Sequence, residues 1–175
     1  MDRRAEAHSR SGDDLMATRY AQDTSVSVES SRNEIERTLI RYGATSFGYL
    51  TEPKSARVAF ALGGRHIRFH LPLPNRDAEQ FQFATQGARG RQPRTARAAE
   101  NAWEQACRQR WRALLLIIKA KLEAVAAGIT TIEDEFLAHT VLPDGSTVGE
   151  WAKPQLEQAY LKNSMPSLMI EGPRS

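Results

Sequence analysis

Cysteine is nearly absent from this chain: Cys107 is the only one in 175 residues, so no disulfide framework can staple the fold. Long hydrophobic runs are absent too. The longest strictly apolar stretch, Ala113 to Ile118, holds six residues, far short of the roughly 18 that a membrane span requires. The N-terminal MDRRAEAHSRSGDD has no apolar signal core, and a cytoplasmic protein is the expectation. There is no phosphate loop, no dinucleotide fingerprint and no nucleophile elbow. Lysine is scarce as well, with 5 against 19 arginines. What the chain does have is length enough for one domain with a self-sufficient core, and a strongly uneven distribution of charge.

The formal net charge of +3 conceals three blocks. Residues 1–30 carry four basic and six acidic side chains, residues 32–125 carry 17 and 8, and residues 126–175 carry three and seven. A basic middle between acidic ends points to anionic partners for the middle block. Arginine, the dominant cation there, offers a planar and permanently charged fork suited to phosphate and carboxylate.

Residues 1–24 are polar and aperiodic and read as a flexible arm, followed by one α+β domain over 25–175. Its basic part, 31–127, holds a helix, three strands and a long helix; its acidic part, 128–175, holds further helices and a small hairpin. Ser25–Glu29 alternates and suits a short strand or an entry segment. Ser31 and Glu34 have capping-box spacing for a helix over 32–42, with Ile35, Leu39 and Tyr42 on one stripe and Gly43 as its stop. Thr45–Thr51 reads as a strand. Arg57–Leu62 and Arg65–Leu71 flank Gly63-Gly64, a hairpin signal that sets Phe60 opposite Ile67 and Val58 opposite Phe69. The other face of that hairpin then carries Arg57, Ala59, Ala61, His66, Arg68 and His70, giving a half-buried antiparallel meander with a cationic outer surface.

Residues 72–94 form a long, basic connection. A helix over 95–127 follows, because Trp103, Cys107, Trp111, Leu114, Ile118, Leu122 and Val125 recur at spacings of three and four. The apolar run Leu114–Ile118 is either wrapped by the fold or shared with a second subunit, which would make the long helix a homo-oligomer seam. Thr130 and Glu133 have capping-box spacing for a short helix to His139. Thr140–Val148 reads as a hairpin about Pro143-Asp144-Gly145. A last helix to Leu161 offers Trp151, Leu156 and Tyr160 as core contacts, with Pro154 starting or kinking it, and the apolar tail Met165–Ile170 docks on the body.

Convergent catalytic groups are few. His66 and His70 share a strand face roughly 13 Å apart, too far to bind one metal. Cys107 on the apolar stripe reads as a buried, inert thiol. Glu133, Asp134 and Glu135 suit a helix N-terminus electrostatically, or else a metal-dependent nuclease. No cofactor is implied. The better-founded candidate is a basic track of Arg57, Arg65 and Arg68 on the hairpin, Arg89, Arg91, Arg94 and Arg97 in the loop and helix start, and Arg108, Arg112 and Lys119 along the helix. Such a track would neutralise several phosphates and bind with steep salt dependence. Phe81 and Phe83 either stack on unpaired bases or pin the loop to the core. The alternative is that the track meets the protein's own acidic C-terminal part.

The element order over 31–127 is similar to that of double-stranded-RNA-binding domains, with GARGRQPRTAR where that family has a glycine-rich turn and a lysine pair. The stretch RQRWRALLLIIKAKLEAVAAGITTIEDEFLAHTVLPDGSTVGEWAKPQ resembles a family of small uncharacterised bacteriophage and prophage proteins, whose earlier part is similar to RTLIRYGATSFGY and VAFALGGRHIRFHLPLP. The likeness spans roughly residues 31–170 and implies a phage origin and action inside a host cell; it supplies no catalytic residues. The functional expectation is a non-enzymatic phage protein that binds DNA or RNA through its arginine-rich surface. The alternatives are a protein–protein inhibitor of a host nucleic-acid machine, such as an anti-CRISPR or other counter-defence factor, and a metal-dependent nuclease.

Overall fold

The computed structural model describes residues 24–85 and 90–164. The expected flexible arm, apart from Thr24, the apolar tail Met165–Ile170 and Arg89 lie outside the described residues. In chain order the elements are α1 (Val28–Arg41), β1 (Ser46–Glu52), β2 (Ser55–Leu62), β3 (Arg65–Pro72), α2 (Glu79–Gln82), β4 (Phe83–Thr85), β5 (Arg91–Pro93), α3 (Ala96–Ala126), α4 (Ile132–Phe136) and α5 (Val148–Lys162), with a 3₁₀ turn at Leu137–His139. This is an α+β fold: a three-stranded antiparallel meander in the order β1-β2-β3, backed by a 31-residue helix, with a two-stranded β4-β5 ribbon.

The hairpin register is the one the glycine pair dictates: Phe60 faces Ile67, Val58 faces Phe69, and Arg57 faces His70. Gly63 and Gly64 both take positive φ, 57° and 72°, the left-handed region that this two-residue turn requires. A side chain at Gly63 would also press to 3.2 Å from Ile132 Cδ1 of α4. The inner sheet face, with Val58, Phe60, Ile67 and Phe69, joins Trp111, Leu114, Leu115, Ile118 and Leu122 of α3 and Ile35 and Leu39 of α1 in one core. Phe136, fully buried, closes that core: its ring meets Phe60 and Phe69 edge-on at 5.9 and 6.2 Å. The Leu114–Ile118 run is thus wrapped by the fold at Leu114, Leu115 and Ile118, leaving Ile117 at the surface.

Two helix starts differ from the sequence expectation. α1 begins a turn earlier, because the Ser27 hydroxyl accepts from the Ser30 amide, so Val28 and Glu29 are helical rather than extended. Ser31, expected as the cap, is instead fully buried. α4 is capped by Thr131, whose hydroxyl accepts from the Asp134 amide, one residue later than the Thr130–Glu133 spacing suggests. Among the described helices, a complete capping box forms at Thr147 and Glu150, at the head of α5.

Two regions depart further. The connection 72–94 is not bare loop: it holds α2 and the β4-β5 ribbon, with Phe81 buried and Arg91 lying 4.4 Å over the Phe83 ring. Both aromatics are thus held by the fold. α5, by contrast, has no buried residue. Trp151, Leu156 and Tyr160, expected as core contacts, are 45, 52 and 86% exposed. Among the described residues the helix packs mainly against the Leu137–His139 turn, and its stripe stays open to solvent. Pro154 sits inside it.

Candidate nucleic-acid interface

Because β-strand side chains alternate, residues opposite to the buried set share the outer face of the sheet. β2 supplies Arg57, Ala59 and Ala61, and β3 supplies His70, Arg68 and His66 in direct register with them. On β1, Leu50, Gly48 and Ser46 complete the three rows. The central rows are therefore low: Gly48 and Ala59 beside Arg68, and Ser46 and Ala61 beside His66. Nothing stands within 4 Å of where a Gly48 side chain would be. At one end, Arg57, Arg68, His70 and Glu150 line a cleft of about 310 Å³.

The 140–150 segment braces this face. Val141 donates its amide to the His66 carbonyl at 2.8 Å, extending the edge of β3. Arg68 donates from Nη1 to the Gly145 carbonyl and from Nη2 to Glu150 Oε2, both at 2.8 Å. The same Glu150 oxygen accepts from the Thr147 amide at 2.7 Å. That backbone bond, reinforced by the Arg68 charge, holds the Glu150 carboxyl below its ordinary range. Arg57 pairs with Glu52 at 3.6 Å. Both pairs are partly open to solvent, where ion pairs are weak and an incoming phosphate can replace a carboxylate.

The other expected cations lie elsewhere, and the single track is divided. Arg65, in register with Leu62, is exposed at the hairpin end. Arg91 pairs with Glu79 on α2, and that bond lowers the Glu79 carboxyl and raises the guanidinium. Arg94 donates to the carbonyls of Gln80 and Phe81 at 3.2 and 3.5 Å. Arg97 is exposed on the first turn of α3. Arg108 pairs with Glu104 at 3.6 Å and donates to Gln105 at 2.9 Å. Arg112 and Lys119 both reach Glu34 of α1, at 2.8 and 3.9 Å, tying the two helices together. α3 backs the inner face of the sheet, so this helical set stands across the sheet from Arg57 and Arg68. Periodicity showed which residues share a helix face; it carried no information on which side of the sheet the helix would lie.

Nucleophilic and metal chemistry find little support in the described residues. Burial, and then the Glu104 charge, push the Cys107 thiol up to about 11, so it is not a thiolate at neutral pH. Asp134 accepts from the Thr131 hydroxyl, and Glu135 pairs with Lys121 at 3.0 Å. Among the described residues no group of three or more His, Cys, Asp or Glu could hold a metal ion, and no helix is long and apolar enough to cross a membrane. No family model, curated protein or solved structure matches the chain.

Proposed function

We propose that this is a non-enzymatic, phage-encoded protein that acts in the host cytoplasm and binds nucleic acid through the outer face of its sheet. The reading rests on one observation: Arg57, Arg68 and His70 converge on an open cleft beside a low floor of Gly48, Ala59 and Ala61. Small floor residues let a sugar–phosphate backbone approach the sheet, while two guanidinium forks and His66 and His70 meet its phosphates. Glu52 and Glu150 act as resident counter-ions, keeping the arginines extended over the face until phosphate displaces them. Arg65 and Arg97 add exposed charge, whereas Arg112 and Lys119 serve the α1–α3 seam and Arg108 pairs along α3 with Glu104. Titration of labelled single- and double-stranded DNA and RNA at two salt concentrations tests the reading; an absence of binding at low salt overturns it.

One observation favours a second reading, a protein–protein inhibitor of a host nucleic-acid machine. α5 projects Trp151, Leu156, Tyr160 and Leu161 into solvent, and aromatic side chains of this kind anchor protein interfaces. Under that reading, charge reversal on the sheet leaves inhibition intact, and Trp151→Ala with Tyr160→Ala abolishes it.

A further inference from the structure

A second concavity lies at the same end of the sheet, between the first turn of α1, the β1–β2 turn and the N-terminal half of α3. Its volume is about 630 Å³, within the ~300–1,000 Å³ usual for small-ligand sites. Pro53, Leu73 and Trp103 supply apolar walls. The Trp103 ring is fixed where it borders the cleft: Nε1 donates to the Pro74 carbonyl at 2.9 Å and Arg76 lies 5.5 Å from the ring centre.

Arg32 is the unusual residue there. Its guanidinium lies 4.5 Å from the centres of both the Tyr49 and Trp111 rings, held between them. It donates from Nη2 to the Thr51 hydroxyl at 3.1 Å, while Nε is buried with no acceptor. No carboxylate among the described residues pairs with it. The buried Nε is out of a ligand's reach, but Arg32 lines the cleft, and a preorganised guanidinium with no counter-ion among the described residues keeps terminal N–H groups for an acceptor entering there. The rest of the rim decides which kind. Glu29, Glu52 and Glu104 also line the cleft; Glu104 is matched by Arg108 and Glu52 by Arg57, and Glu29 is exposed. Three carboxylates disfavour a phosphate. A flat heterocycle whose edge carries both acceptors, for Arg32, and N–H donors, for Glu29, suits the mixture, with Trp103 as its stacking surface.

We propose that this cleft receives an unpaired nucleobase of a bound single strand, an inference that rests on the nucleic-acid reading of the sheet face. The Glu52–Arg57 pair joins the two sites: Glu52 lines the base cleft and Arg57 lines the phosphate cleft. A strand whose backbone crosses Arg57 and His70 thus reaches the mouth of the base cleft at the β1–β2 turn. A paired base has its hydrogen-bonding edge occupied and cannot enter, so the cleft makes the protein selective for single strands.

The test titrates a short labelled single strand of mixed sequence, and the duplex it forms with its complement, against the wild type, Arg32→Gln, Trp103→Leu and Arg57→Glu, each checked for native circular dichroism and melting. The wild type should prefer the single strand by about tenfold, a stacking contribution. Arg32→Gln and Trp103→Leu should each remove most of that preference and leave duplex affinity and salt dependence unchanged; Arg57→Glu should weaken both forms. If the wild type binds both forms and the two cleft variants change neither, the base site is overturned while the nucleic-acid reading stands. If the wild type binds neither form, the nucleic-acid reading falls. In that case a titration with the uncharged nucleosides adenosine and guanosine, followed by tryptophan fluorescence, decides the cleft separately. Quenching lost in Arg32→Gln upholds it as a base site, and no quenching overturns it.

Discussion

The two faces of the three-stranded sheet are built from the same three strands, yet they have opposite chemistry. The inner face is apolar at its centre, where each of Val58, Phe60, Ile67 and Phe69 is at most 4% exposed in one core with α3 and Phe136. The outer face carries two arginines and two histidines among glycine, alanine and Leu50, and among the described residues it is braced by Glu52, the 140–150 segment and Glu150 in the first turn of α5. The difference teaches that alternation along a strand separates stability from recognition: residues one position apart can be substituted with almost independent consequences. α5 extends that lesson. Its Thr147–Glu150 cap holds Arg68 in place, while the remainder of the helix contributes no buried residue.

The comparison is broken most severely from the inside. Phe136→Ala removes the ring that seals Phe60 and Phe69 and should cost about 3–5 kcal/mol in urea unfolding; a loss below ~1 kcal/mol would mean that the core is not assembled as described. Next is the outer face, where Arg57→Glu combined with Arg68→Glu should lower nucleic-acid affinity by more than about tenfold while shifting stability by no more than ~1 kcal/mol, since the pairs removed are surface ones. Thr147→Ala sharpens the role of the brace. It should cost about 1 kcal/mol, speed amide exchange at the start of α5, and leave binding intact or raised as Glu150 loosens.

The junction of the two faces has its own pH signature. His139 stacks on Phe69 at 3.9 Å, and burial, followed by the Lys121 charge, holds its pKa below the ordinary value. The folded state therefore favours the neutral ring and the unfolded state takes up the proton first. Stability should be full above the unfolded value of about 6.5 and decline as pH falls from there through the folded value. His139→Gln should flatten that decline; an unchanged slope would reassign it. The smallest effect belongs to the exposed end of α5, where Leu156→Ser should alter stability by no more than ~0.5 kcal/mol.

Much of the inner face was legible in the sequence. Period-2 alternation about Gly63-Gly64 gave the hairpin register residue by residue, and the stripe from Trp103 to Val125 gave the core side of α3, because burial imposes periodicity on long elements. Short elements escaped: β4 and β5 have three residues each, too few to show a period, so 72–94 read as a loop. The early start of α1 escaped because Ser27 and Ser31 are both competent caps, and the pattern between them fits either. Trp151, Leu156 and Tyr160 have core-like spacing, but spacing records amphipathicity and does not supply an element to pack against. The candidate site was half legible. Arg57, Arg68, His66 and His70 were placed on one face, whereas Arg108, Arg112 and Lys119 were joined to them because position across the sheet is a tertiary property. Arg32 gave no local signal, since the Tyr49–Trp111 clamp that holds it is assembled from distant parts of the chain.

The central claim is that the outer sheet face binds nucleic-acid backbone. Its most direct test is the salt dependence of affinity for a labelled single strand, measured for the wild type and for Arg57→Glu with Arg68→Glu. The account predicts wild-type binding at low salt that weakens with a log–log slope of about −2 to −3, as for three or four phosphate contacts, and a shallower slope with weaker binding in the variant. Equal affinities and equal slopes for the two proteins, or no binding by the wild type at low salt, would contradict it.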